Sequence, residues 1–212
     1  VPVGLFMLIL ALPGNVFSSE TMAGQDSSPP PSVLFIMIDD LRDWTGYSDA
    51  FSGVRTPNLN RIAGEGTVFS DAHCPAPVCA PSRTALLTGR HPGKTGVYTN
   101  SERWPDDLLE ATTLTHHFMQ SGYKVAGFGK IYHGQGKLDY WHTYEYGDYS
   151  PAPKNPEHPG AIGNRLYIPD DATGDGQRVN NAIEFLKAHP EGPLFLACGL
   201  VRPHTPWDAP SA

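Results

Sequence analysis

The sequence predicts an α/β fold in which a mostly parallel β-sheet lies between helices. Two continuous apolar runs, Val33–Ile38 and Leu194–Leu200, have the length and composition of strands buried on both faces of a parallel sheet. Segments with helical spacing of apolar residues lie between the two runs. Because strands that alternate with helices form βαβ units, this order favours a parallel sheet.

Two helices and a short strand are predicted after the first apolar run. Thr56 and Pro57 suit the N-cap and the first position of a helix that extends to Ala63. Residues 67–70 are predicted to form a short strand. Residues 81–88 are predicted to form a helix.

A second helix–strand alternation is predicted further along the chain. Leu114 and Phe118 are at helical spacing, and Gly122 is expected to end their helix. A strand is predicted over Lys124–Gly129. Residues 131–174 then show no sustained period, and a loop of that length inside a compact domain is usually functional. The last predicted helix has an apolar stripe that consists of Val179, Ala182, Ile183 and Leu186.

The length, composition and net charge of the chain limit the classes of function that it can have. The 212 residues can form one α/β core or two small ones, and 40% of them are hydrophobic. The net charge of −7 argues against a nucleic-acid partner, which requires a basic surface. An anionic substrate must therefore be held by local cations.

Residues 1–19 have the layout of a signal peptide. Their ten-residue apolar run is too short to span a bilayer, and a Pro-Gly pair and small residues follow it. Because an initiator Met and a basic start are absent, we expect the peptide to be clipped at its start; the alternative is a buried core helix. Residues 20–31 are predicted to be a linker, and residues 32–212 the folded domain. We expect export and no stable membrane span.

The three cysteines are too few for a disulfide framework in a chain of this length. Their odd number fits one cysteine reserved for chemistry. Cys74 and Cys198 can pair or remain as small buried thiols, and both alternatives stay open. Cys79 comes just before a predicted helix, where the helix dipole and Arg83 are expected to lower its pKa. This pattern predicts either a reactive thiol or an ordinary buried cysteine.

Asp39 and Asp40 come directly after the first buried strand. In open α/β sheets, ligands bind at the carboxyl ends of the strands. Two adjacent carboxylates repel each other unless a cation neutralises them, and oxygen ligands favour a hard cation such as Ca²⁺ or Mg²⁺. The alternative is a solvated turn.

The segment Cys79-Ala80-Pro81-Ser82-Arg83, with Thr-Gly-Arg at residues 88–90, resembles the signature of the cysteine-type sulfatases, a family of the alkaline-phosphatase-like superfamily. Further segments follow in sulfatase order, and the resemblance covers about residues 33–207. They look most like the iduronate-2-sulfatase-like branch. These segments are Asp39-Asp40, Thr56-Pro57-Asn58-Leu59, Gly129-Lys130-Ile131-Tyr132-His133 and Arg202-Pro203-His204-Thr205-Pro206.

The resemblance implies an alkaline-phosphatase-like sandwich that is truncated before its C-terminal part. It implies a sulfuric ester hydrolase that removes sulfate from a sulfated carbohydrate. Cys79 would be oxidised to formylglycine by a formylglycine-generating or anaerobic sulfatase-maturing enzyme. One hydroxyl of the hydrated aldehyde would attack sulfur, and loss of a proton from the other would expel sulfate.

The resemblance also implies roles for the neighbouring residues. Asp39 and Asp40, with the modified Cys79, would hold Ca²⁺. Arg83 would orient the modified residue. Arg202 has no implied sulfate role and is expected only to brace its loop. The basic residues Lys130, His133 and His204 would together surround the sulfate. Taken singly, Lys130 could be a solvated lysine, and the two histidines could be surface residues.

The resemblance is incomplete. The remaining calcium ligands and a second sulfate-binding lysine of the family have no counterpart in this sequence. We therefore expect an N-terminal fragment that binds calcium weakly and is poorly folded or inactive alone. The alternatives are a phosphonate or phosphate monoester hydrolase of the same superfamily, a non-catalytic secreted homologue, and a thiol hydrolase, for which no His–Asn/Asp partner of Cys79 is apparent.

Overall fold

A computed structural model describes residues 6–11, 30–48, 53–102, 108, 113–134, 138–147, 163, 165–189 and 191–210. Its main sheet has five strands in the order β1-β2-β6-β3-β4. All neighbours pair in parallel except β1, which runs antiparallel to β2 at one edge. The strands are β1 (Phe6–Ala11), β2 (Val33–Ile38), β3 (Lys124–Gly129), β4 (Thr143–Glu145) and β6 (Leu194–Leu200).

Helices cover both faces of this sheet. Two short strands, β5 (Arg165–Leu166) and β7 (Ala209–Pro210), form a separate parallel pair. The helices are α1 (Pro57–Glu65), α2 (Cys79–Thr88), α3 (Pro92–Thr95), α4 (Leu114–Gln120) and α5 (Gly174–Ala188), with 3₁₀ turns at Leu138–Tyr140 and Asp170–Ala172. The predicted α/β fold with a mostly parallel sheet is confirmed.

The core has one cluster on each face of the sheet. On one face, Phe35 and Phe195 of the sheet pack near Leu87 of α2 and Phe118 of α4. On the other face, the sheet packs against α5. The residues of this second cluster include Ala126, Phe128, Leu196, Ala182 and Phe185. Because full burial of a large apolar side chain contributes about 1.5–3 kcal/mol, these two clusters are the main source of stability.

Two local predictions are wrong. Residues 67–70 form no strand, and Val68 and Phe69 are exposed there because no neighbouring strand receives them. In α5, Ala182 and Leu186 of the predicted stripe pack against the sheet, but Val179 and Ile183 are exposed as well. The packed side of this helix carries Arg178 instead, which is buried in an ion pair with a residue one turn earlier.

The centre of the predicted signal peptide forms β1. Its register runs from Phe6 opposite Ile38 to Ala11 opposite Val33. The alternative of a core helix is therefore wrong for residues 6–11. The rest of residues 1–19 and most of the predicted linker 20–31 lie outside the described residues, and the signal peptide stays a prediction. Among the helices that the structure describes, none is both long and apolar enough to cross a membrane.

The register of the three central strands brings their carboxyl ends to one edge. Ile38 lies opposite Leu200, and Gly129 opposite Gly199. The pairing extends one residue beyond the strands, because the Asp39 N–H donates to the Leu200 carbonyl at 3.0 Å and the Lys130 N–H to Gly199 at 2.9 Å. The residues that follow β2, β3 and β6 are therefore close together.

Candidate active site

A buried carboxylate, Asp39, lies at the centre of this edge and is only 1% exposed. Its Oδ1 accepts a hydrogen bond from Arg83 Nη2 at 2.7 Å, and its Oδ2 is in contact with Lys130 Nζ. Burial alone raises the pKa of Asp39, but the charges and hydrogen bonds of Arg83 and Lys130 outweigh it and hold this pKa below its ordinary value. Asp39 is therefore an ionised carboxylate shared by two cations.

Cys79 is the first residue of α2, and its Sγ lies 3.6 Å from Asp39 Oδ1. The helix receives no side-chain cap from Val78; instead, Asn100 Oδ1 accepts from the Ala80 N–H at 2.9 Å. Burial and the negative charge of Asp39 raise the pKa of the Cys79 thiol, although Lys130 and Arg83 oppose them. The prediction of a lowered pKa is wrong, because it considered the helix dipole and Arg83 but neither the burial of the thiol nor the carboxylate beside it.

Arg83 connects three elements around Cys79. Its side chain is almost completely buried, and one nitrogen binds Asp39 after β2. The other, Nη1, donates to the carbonyl oxygens of Lys130 and Ile131 after β3, at 3.3 Å for Ile131. The guanidinium thus fixes Asp39 and the Lys130 turn relative to α2.

A second acid–base contact lies at the rim of the site. Asp40 has a left-handed backbone, with φ of 57°, and its Oδ2 is 3.7 Å from His204 Nε2. His204 Nδ1 lies 2.6 Å from the Thr205 carbonyl, so Nδ1 carries the proton and Nε2 points to Asp40. Arg202 braces this loop as expected, since Nη1 donates to the His204 carbonyl at 3.1 Å and Nη2 to Asp208 at 3.2 Å.

His133 is exposed at the same edge. Partial desolvation, with the positive charges of Lys130 and Arg83, lowers its pKa, and the charges of Asp39 and His204 also act on it. The neutral imidazole is therefore favoured. The structure thus brings all the predicted site residues to one edge of the sheet, with His133 at its periphery.

Three possible metal ligands meet here. A carboxylate oxygen of Asp39, Cys79 Sγ and a ring nitrogen of His204 all lie within 4.8 Å of one another. The carboxylates of Asp39 and Asp40 are the hard oxygen ligands that Ca²⁺ requires, and oxidation of Cys79 would replace its sulfur by oxygen. The carboxylate oxygens therefore fit calcium in kind, whereas the thiol sulfur and the imidazole nitrogen are softer donors than calcium prefers. However, Arg83 and Lys130 already balance the charge of Asp39, so a cation must compete with them.

Sequence reasoning missed two residues that hold this site in place. Asn100 caps α2 across twenty residues of chain, and no local pattern indicates such a contact. Asp175, in the first turn of α5, binds the backbone where the His204 loop begins. An acidic residue in a first helical turn was a visible signal, but its partner was not.

Comparisons with known proteins agree with this arrangement. A family model described as Sulfatase matches residues 31–212. A sulfatase of Formosa agariphila is 35% identical over 218 residues, which cover 91% of this chain and 43% of that protein. Human iduronate 2-sulfatase is 30% identical over 224 residues, which cover 96% of this chain and 40% of that protein.

A solved structure of a 2-O GAG sulfatase is similar as well. It has 26% identity and a TM-score of 0.54, and the match covers 81% of this chain and 34% of that one. The chain therefore spans less than half the length of these relatives. Since the family model matches most of the chain, the protein belongs to the sulfatase family.

Proposed function

We propose that the protein hydrolyses sulfate esters of a sulfated carbohydrate with a nucleophile made by oxidation of Cys79. The observation that carries this proposal is the position of Cys79 Sγ beside the buried Asp39, between Arg83 and Lys130. The match to the sulfatase family supports the reaction class.

The charges of the inner site suit a sulfate ester. Two cations, Arg83 and Lys130, offset the buried carboxylate of Asp39 beside Cys79, in a chain that is acidic as a whole. Lys130 is partly accessible and keeps further N–H donors for sulfate oxygens. In a buried site, such donors stabilise the charge that develops in the transition state more strongly than water does.

The unmodified thiol is poorly suited to act as the nucleophile. Its raised pKa leaves Cys79 protonated at neutral pH, which also counts against a thiol hydrolase even though His204 is near. Formylglycine at this position would supply one hydroxyl that displaces the sugar alcohol from sulfur and a second whose deprotonation releases sulfate. The proposal assigns proton transfer at the open side of the site to His204, whose Nε2 is near Asp40, and to His133, whose neutral form is favoured.

Calcium is the cofactor that we propose for Asp39 and Asp40. When bound, it would neutralise charge on the sulfate oxygens. His204 Nε2 lies 3.7 Å from Asp40 Oδ2. His204 therefore either shares the cation site or moves towards the leaving group.

The substrate that we propose is a sulfated polysaccharide or glycosaminoglycan unit, by analogy with relatives named iduronate 2-sulfatase and 2-O GAG sulfatase. Tyr132 and Trp141 are buried in the core and cannot stack on a sugar, whereas Trp207 is 62% exposed and can. The side chains of Lys137, Lys154 and Arg165, which are further candidates for binding sugar acids, lie outside the described residues.

The first experiment is the mass of the tryptic peptide 62–83 from protein made in its native host. Conversion of Cys79 exchanges sulfur for oxygen, removes two hydrogens and creates an aldehyde that hydrazides trap. Cys74 lies in the same peptide and is an internal control, because it should keep its thiol. Two thiols and no aldehyde would overturn the proposal in favour of a non-catalytic homologue.

A second measurement separates the sulfatase from a phosphonate or phosphate monoester hydrolase. The protein at its full natural length is assayed with aryl sulfate and with aryl phosphate. Faster turnover of the phosphate would contradict the proposed substrate class. We further propose export, which N-terminal sequencing of the protein from its native host would test by showing whether the signal peptide has been removed. We also propose maturation by a formylglycine-forming enzyme, which the aldehyde on Cys79 would support.

A further inference from the structure

An ion pair outside the active site holds the start of the His204 loop. Asp175, in the first turn of α5, accepts a hydrogen bond from the Val201 N–H at 2.9 Å. Its second carboxylate oxygen accepts from the Arg202 N–H at 2.8 Å. These two N–H groups directly follow β6. One carboxylate therefore determines how the chain leaves the sheet before it reaches His204.

The partner of Asp175 reaches the turn that carries Lys130. Arg178, one turn further along α5, donates to Asp175 Oδ1 at 2.8 Å, and its side chain is only 8% exposed. Its aliphatic part covers Gly129, the residue before Lys130, so closely that a Cβ at Gly129 would lie 2.5 Å from Arg178 Cδ. Gly129 has φ of 83°, a conformation that favours glycine.

The Asp175–Arg178 pair thus contacts the two chain segments that carry the basic residues Lys130 and His204 into the site. Lys130 reaches Asp39 from the end of β3, and His204 reaches Asp40 from the end of β6. Arg202 and Asp208 close the far end of the His204 loop, whereas Asp175 holds its beginning.

We propose that Asp175 and Arg178 are positioning residues that set the distance between Lys130 and His204 for sulfate-ester cleavage. This inference rests on the proposed function. The pair does not act on the substrate; it acts through the backbone of Val201 and Arg202 and through the packing on Gly129. Since a misplacement of about 1 Å in a catalytic group can lower a rate about 100-fold, loss of this pair should reduce turnover more than binding.

The test uses the protein at its full natural length and compares two substitutions in the same helix. D175N keeps the size of the side chain but places an amide N–H₂ against a backbone N–H and removes the charge that binds Arg178. A182G weakens α5 at a buried position that packs against the strands of the sheet. Turnover is expressed per folded, aldehyde-bearing molecule, so that a loss of folded protein alone does not change it.

We expect D175N to lower kcat about 10- to 100-fold with KM changed less than about threefold, and A182G to leave kcat within about twofold. Hydrogen exchange should accelerate at the Val201 and Arg202 amides in D175N and stay unchanged in the centre of β6. R178K, which keeps the cation but changes the packing on Gly129, is the second variant and should lower kcat as well.

Two results would overturn the inference. One is an unchanged kcat per folded molecule in both D175N and R178K. The other is faster exchange throughout β6, which would mean that the pair only stabilises the fold. If the unsubstituted protein hydrolyses no sulfate ester, the proposed function fails, and the exchange pattern still decides whether Asp175 holds the loop.

Discussion

Replacement of Asp39 by Asn tests whether this carboxylate is the counter-ion of the site. D39N keeps the shape of the side chain and removes the charge that Arg83 and Lys130 share. Breaking a buried ion pair by removal of one partner costs about 3–5 kcal/mol, because the other charge remains buried without compensation. Since Lys130 can turn partly towards solvent, whereas Arg83 is fully enclosed, we expect a value near 3 kcal/mol rather than 5.

The assay is urea unfolding at neutral pH with a chelator present, so that no cation contributes. With a slope of about 2 kcal/mol per molar, D39N should lower the midpoint by about 1.5 M. D43N is the matched control, because Asp43 is largely exposed in the same loop and its replacement should change stability by less than about 0.5 kcal/mol.

A double substitution separates charge from packing. K130M removes one of the two uncompensated cations, so D39N/K130M should be less destabilised than the sum of its single substitutions by about 1 kcal/mol or more. Additive effects, or a loss in D39N no larger than that in D43N, would refute the view of Asp39 as the shared counter-ion.

Three further predictions concern the frame of the site. G129A should cost about 1–3 kcal/mol more in unfolding free energy than G134A, because both glycines have positive φ but only Gly129 is enclosed; equal losses would contradict the steric argument. Burial, with the charge of Asp175, raises the pKa of Cys198 to about 11, so its thiolate is scarce below that pH. At pH 8, iodoacetamide should label it about 100-fold more slowly in the folded protein than in urea, and equal rates would contradict the burial. Calcium at ten times its Kd should raise the unfolding free energy by about 1.4 kcal/mol, and D40N should lose this effect; an equal shift in D40N would exclude Asp40 as a ligand.

The strands of the sheet were predictable because their sequences allow few alternatives. The runs that form β2 and β6 are continuously apolar and of strand length, and the structure has them with the predicted bounds. The α2 helix begins at Cys79, two residues before the prediction, because Asn100 supplies a cap from a distant loop. Helix ends depend on such caps, which local sequence does not show.

The chemistry of the site was less predictable than its composition. The resemblance grouped side chains that the structure brings to one edge of the sheet, but the direction of the Cys79 pKa depends on burial and on a carboxylate forty positions earlier in the chain. The buried face of α5 depends likewise on a charge pair, since Arg178 takes an inner position that hydrophobic periodicity assigns to apolar residues. Both errors have one cause: periodicity and local pattern do not include the burial and the electrostatics that tertiary structure creates.

The pairing of β2 with β6 has a consequence for biosynthesis. The 121 residues from Ala80 to Leu200 are added after Cys79, and at about 5–20 residues per second their synthesis takes roughly 6–24 s. Until then β2 lacks its parallel neighbour, and α2 has no finished sheet to pack against. Pro81, Ser82 and Arg83 are buried in the folded chain, so the maturation enzyme proposed above would have to bind them during this interval or while the chain is unfolded at a later stage. If Cys79 is modified as proposed, the sheet order therefore sets a time limit for modification of the nascent chain.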